Sequence, residues 1–159
     1  MNKDKIIIIA GGILIILAVA GISVFLSKSS DTATSIPEDQ IVAKNGLHWH
    51  PSLEIYIEGE KQEIPANVGI GAIHQPIHTH DEDAKDGVLH MEFSGVVTKE
   101  DTRLGNFFKT WGKEFSSTQI FEYKNSSESA VIIFVNGKEN LDFENYLMRD
   151  GDKIEIRYE

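Results

Sequence analysis

Five of the chain's six histidines fall in three short runs. "LHWHP" (Leu47–Pro51) holds His48 and His50, "HTHDED" (His78–Asp83) holds His78 and His80, and "GVLHMEF" (Gly87–Phe93) holds His90. Neutral imidazole is a good ligand for zinc and copper, whereas a site built from oxygen donors alone would suit calcium or magnesium. Two histidines at i and i+2 on an extended chain project from the same face, with room for one ion between them. Asp81, Glu82 and Glu92 lie among these histidines, where a carboxylate can complete a zinc or copper shell or orient a ligating ring.

The alternation of residue types supplies the faces. From Leu47 to Ile57 the odd positions are mostly large and apolar (Leu47, Trp49, Leu53, Ile55, Ile57), and the even positions include His48, His50 and Glu54. Around the third run Leu89, Met91 and Phe93 alternate with His90 and Glu92. A strand with one face in the core reads this way, so histidine is expected on the face away from the apolar layer in both runs. Met91 is expected in the core, which argues against a methionine-ligated copper(I) site. A lone His-x-His is most often a pair of exposed, solvated histidines. Two such pairs and a fifth histidine on predicted non-core faces make a metal cluster of His48, His50, His78, His80 and His90 the better reading, with Asp81 and Glu92 as supporting groups or extra ligands. His74, before Pro76, is expected to be peripheral.

These strands need an apolar layer to lie on. "SLEIYIEGEKQEI" reads as a hairpin turning at Gly59–Glu60, and Asn136–Gly137 marks a second tight turn between "AVIIFV" and "KEN". Leu104, Phe107, Phe108, Trp111 and Phe115 recur at helical spacing, predicting one amphipathic helix over about residues 99–112. Thr98 and Asp101 approximate a capping box at its start. The fold class expected is α+β: a mostly antiparallel sheet with one main amphipathic helix, β-grasp-like at its C-terminal end. The terminal Gly-Gly of sulfur-carrier and ubiquitin-like proteins is missing, so their chemistry does not transfer.

Sharper catalytic motifs fail residue by residue. "HTHDED" begins like the metallo-β-lactamase ligand run but lacks the histidine that closes it. "HWHPSLE" has the cupin His-x-His-x3-Glu fragment without its glycine spacing or second motif. "DEDAKDG" places Lys85 where a calcium loop needs oxygen. No nucleophile elbow, P-loop or dinucleotide fingerprint occurs.

The chain of 159 residues carries 15 basic and 25 acidic side chains, a formal net charge of −10. Such a charge repels nucleic acid and anionic lipid and attracts cations. The absence of cysteine excludes disulfides and thiolate ligands. Near the start, Ile6–Leu26 is apolar and uncharged; as a helix at 1.5 Å per residue it would reach about 30 Å, the thickness of a bilayer core. A cleaved signal peptide is the rival, but the apolar run is longer than a usual secretory core. Lys3 and Lys5 before the span favour an N-terminus in the cytoplasm. The organisation expected is a transmembrane anchor over residues 1–26, a flexible Ser/Thr-rich stalk over 27–40, and an extracytoplasmic histidine-rich domain over 41–159.

Taken together, "HWHP", "IPANVGI", "HTHD", "GVLHME" and "LGNFFKTWG" resemble an uncharacterised family of small prokaryotic, membrane-anchored extracytoplasmic proteins with HxHP, HTHD, GxLHxE and LGxFFxxWG motifs. The resemblance runs over Leu47–Trp111 and implies that the histidines form a unit. It implies neither an activity nor a particular metal. The segment Asp81–Gly87 is longer here than the family's connection.

The function expected is a membrane-anchored, single-pass, extracytoplasmic binding protein for copper or zinc, able to buffer the ion or pass it to a protein partner. A metal-dependent hydrolase or oxidase with the same ligands is one alternative. A metal-free interaction or pH-sensing domain is the other.

Overall fold

The computed structural model describes residues 35–159. The apolar span Ile6–Leu26 and most of the expected stalk lie outside the described residues. Among the described residues no helix is long and apolar enough to cross a membrane. Residues 37–159 form one compact unit. Glu38–Gln40, expected at the end of the stalk, make a 3-10 turn leading into the first strand.

The strands in chain order are β1 (Ile41–Ala43), β2 (Leu47–Trp49), β3 (Ser52–Ile57), β4 (Glu60–Gln62), β5 (Ile77–His78), β6 (His90–Phe93), β7 (Val97–Thr98), β8 (Phe115–Ser116), β9 (Gln119–Ile120), β10 (Tyr123–Lys124), β11 (Val131–Val135), β12 (Lys138–Asn140) and β13 (Lys153–Tyr158). One α-helix, α1 (Leu104–Trp111), lies between β7 and β8. The α+β expectation holds. The largest sheet runs β12-β11-β13-β3-β4, and a second, three-stranded sheet runs β2-β6-β5. Small sheets join β1 to β7 and β8 to β9 and β10. Every pairing is antiparallel except that of β13 with β3, at the middle of the large sheet.

Both predicted hairpins form. Asn136 and Gly137 take φ of 52° and 77° between β11 and β12. In the first hairpin the turn falls on Glu58 and Gly59, at 51° and 83°, one residue earlier than predicted. Two successive residues at positive φ match the right-handed strand twist.

The predicted continuous strand from Leu47 to Ile57 is instead two. Pro51 has no N–H for a ladder, and the chain changes partners there: β2 pairs with β6, while β3 leaves for the large sheet. The corner is fastened by Leu89 N–H to the Pro51 carbonyl (2.9 Å) and Leu53 N–H to the Gly87 carbonyl (2.8 Å). Gly87 sits at φ 76°, and a side chain on it would run into the Leu53 carbonyl.

The helix is shorter than predicted and begins at Leu104, after Arg103. Thr98 and Asp101 do bond, through the Thr98 N–H and hydroxyl to Asp101 Oδ2 at 2.7 Å each. They close a turn ahead of the helix rather than capping it. The apolar stripe behaves as core: Leu104, Phe107 and Phe108 are buried in one cluster with Leu53, Ile55, Ile77, Met91, Ile133 and Ile156. That cluster lies against both main sheets, so the histidine-bearing sheet has one face fixed by packing.

Candidate metal centre

β6 is the middle strand of the three-stranded sheet and sets the register of the site. On one side His78 of β5 stands opposite His90. On the other, His48 of β2 stands opposite Glu92, and Trp49 opposite Met91. Continuing that ladder one step brings His50 beside His90, and their ring centroids are 4.8 Å apart. Ile77, Leu89 and Met91 point the other way and are buried.

All five predicted histidines converge. Ring centroids are 4.6 Å apart for His48 and His50, 4.8 Å for His78 and His80, 4.5 Å for His80 and His90, and 5.7 Å for His78 and His90. The cluster is not one focus, however. One ligand atom from each of His48, His50 and His90 lies within 4.8 Å of the others, and the same is true of His78, His80 and Glu92. The two groups touch at two places, where the His80 and His90 rings lie side by side and where His48 Nε2 approaches Glu92 Oε1 at 3.2 Å.

His78 is the most enclosed of the five, 2% exposed. Its Nδ1 lies 2.9 Å from the Gln75 carbonyl, an acceptor, so Nδ1 carries the hydrogen and Nε2 keeps a bare lone pair. That Nε2 is 3.1 Å from Nε2 of His80. Two nitrogens bound at 2.0–2.1 Å to one tetrahedral ion would stand about 3.3 Å apart. The pair is therefore already at ligand spacing. Burial holds the His78 imidazolium below the ordinary histidine range, against the smaller opposing pull of the Gln75 carbonyl and Glu92. A ring kept neutral is ready to ligate.

His90 is oriented differently. Its Nε2 lies 2.9 Å from Asp83 Oδ2. With the Nε2 hydrogen donated to that carboxylate, Nδ1 is left as the ligating atom, the arrangement by which a carboxylate fixes a metal-bound imidazole. The other Asp83 oxygen, Oδ1, is buried with no hydrogen-bond partner among the described residues. Sequence reading missed Asp83. It favoured Asp81, which is exposed and accepts from Asn67 Nδ2 at 2.7 Å, outside both ligand groups. Glu82 is exposed and likewise outside them. Asp83 precedes the 3-10 turn Ala84–Asp86, which folds the longer segment back over β6. Asp150 was also missed; its Oδ1 accepts the His50 N–H at 2.8 Å. His74, expected to be peripheral, is exposed, with its ring 5.5 Å from that of His78.

A surface cleft of about 480 Å³ lies between β3–β4 and the segment 81–87, lined by residues such as Leu53, Lys61, Ile64, Asp81 and Lys85 and by none of the histidines. Comparison of the chain with family models, curated proteins and solved structures gives no significant match.

Proposed function

We propose that the histidine-bearing domain is a binding module for a transition-metal ion, copper or zinc, held outside the cell membrane by Ile6–Leu26 as a single-pass anchor with its N-terminus in the cytoplasm. The observation that carries the metal reading is the His78–His80 pair. Two imidazole nitrogens stand 3.1 Å apart, and His78 Nε2 is left bare because the hydrogen of its ring sits on Nδ1, donated to the Gln75 carbonyl. Glu92 is the third donor of that group. Nitrogen-rich donors with one carboxylate favour zinc or copper over calcium or magnesium. Storage of the ion, or its transfer to a protein partner, suits a site whose outer ligands His48 and His50 are exposed.

The large sheet supports the β-grasp reading of the domain. In chain order its strands are β3, β4, β11, β12 and β13, arranged second-first-fifth-third-fourth with the first and fifth parallel.

A metal-dependent hydrolase or oxidase is the second reading. It is favoured by one observation: each ligand group has three members, which leaves an ion an open position for water or substrate. The nearby cleft is lined by none of the histidines, so binding without catalysis remains preferred.

The test is ion retention by the full chain purified in detergent, stripped with chelator, reloaded with zinc or copper(II), desalted and measured by elemental analysis. Retained ion, reduced in His80→Ala, is the expected result. No retention of either ion by the unaltered chain would remove the metal reading and leave an interaction or pH-sensing domain.

A further inference from the structure

Building on the metal-binding reading above, we infer that the histidine face holds two ions side by side: one among His78, His80 and Glu92, the other among His48, His50 and His90.

The first argument is spatial. β5 and β2 flank β6 on opposite sides, so their backbones are separated by two interstrand spacings, about 9.5 Å. Imidazoles rising from the two outer strands are therefore not centred on one point, and their ligand atoms fall into two close groups. β6 serves both sets from the middle: His90 offers a ligand atom to His48 and His50 while its ring also lies 4.5 Å from that of His80, and Glu92 offers one to His78 and His80.

The second argument is the number of donors. A tetrahedral zinc or copper shell takes four ligands. Five imidazoles and a carboxylate exceed that, and they already sort into two sets of three. Each set leaves a position for water or a shared ligand. Glu92 is placed to be shared: it belongs to one set, and its Oε1 is 3.2 Å from His48 Nε2 of the other. A carboxylate between two cations offsets their mutual repulsion.

The third argument is charge. A second dication beside the first needs anionic compensation that imidazoles do not provide. The His48–His50–His90 set has it at its back. Asp83 accepts from His90 and has its second oxygen buried without a partner among the described residues. Asp150 accepts the backbone N–H of His50.

The experiment counts ions. The full chain in detergent, stripped and then exposed to excess zinc before desalting, is expected to retain two zinc ions per chain by elemental analysis. His50→Ala and His80→Ala are each expected to retain one. His48→Ala repeats the His50→Ala arm at an exposed position where folding is not at stake, and far-UV circular dichroism checks each variant. One ion in the unaltered chain would overturn the two-ion arrangement and leave the binding module standing. Loss of both ions from either arm would also overturn it, since the sets would then be one site. No ion at all would instead remove the metal reading on which the inference rests.

Discussion

His90 Nε2 and Asp83 Oδ2 are 2.9 Å apart, and this contact ties the loop between β5 and β6 to the central strand of the site. The carboxylate fixes which imidazole nitrogen carries hydrogen and how the ring is turned. Asp83→Ala should therefore weaken ion binding about 10- to 100-fold while leaving the ligands in place. Asp81→Ala, which removes only an exposed bond to Asn67, should leave affinity within about twofold. Competition against a chromogenic chelator reads both, and equal effects would deny Asp83 its orienting role.

Burial of His78 fixes the sign of the acid response of the ion-free protein. Its folded pKa lies below the ordinary value of 6.5 because the interior disfavours the imidazolium. As pH falls below about 6.5 the unfolded chain takes up this proton first. Stability is thus lost from there down through the folded pKa and no further below it. In chelator, the melting temperature should fall across that window, and His78→Gln should flatten the slope. A slope unchanged by the substitution would assign the acid sensitivity elsewhere.

Gly87 and Gly59 both adopt positive φ, but their surroundings differ. A Cβ on Gly87 meets the Leu53 carbonyl, whereas one on Gly59 meets nothing within 4 Å. Gly59→Ala carries the left-handed penalty alone, about 1–2 kcal/mol. Gly87→Ala adds a backbone clash at the corner where β3 leaves the histidine sheet, so it should lower the urea midpoint further. It should also lower ion affinity, because the same corner positions His90. Equal midpoints for the two variants would mean that the corner relaxes freely.

An ion held only by the native state stabilises it by mass action, about 2.7 kcal/mol at a free concentration 100 times the dissociation constant. Zinc should raise the thermal midpoint of the unaltered chain, and chelator should reverse the rise. In a His50→Ala, His80→Ala double variant the midpoint should be indifferent to zinc.

Much of this arrangement was legible because period-two alternation is a local signal. Leu89 and Met91 had to be buried if that segment was a strand, and His90 and Glu92 then had to share the opposite face. The same reasoning put His48 and His50 on one side of their strand. Three things were not legible. The break at Pro51 carried its own signal, a residue unable to donate within a ladder, but the alternation continues across it on both sides. Asp83 lies in a segment without periodicity, and nothing in "DED" distinguishes the carboxylate that folds inward from the one that meets Asn67. The division of five histidines into two sets depends on which strands flank β6, a long-range pairing that local pattern does not encode. The helix start was misplaced for a related reason: Thr98 and Asp101 have the chemistry of a cap, and they spend it on a turn stabilised by Asn106, whose side chain donates to the Glu100 and Asp101 carbonyls.

The parallel pairing of β13 with β3 has a consequence for the order of assembly. Residues 153–158 fill the centre of the large sheet, between β11, which closely precedes them in the chain, and β3, which comes far earlier. Closing that contact means joining ends about a hundred residues apart, which makes folding slow. Until it closes, β3 and β11 each expose an unpaired edge, a condition that invites aggregation. The β2-β6-β5 ladder draws only on residues 47–93 and can form beforehand. A metal captured there early would hold three strands together while the rest of the molecule waits for its last strand.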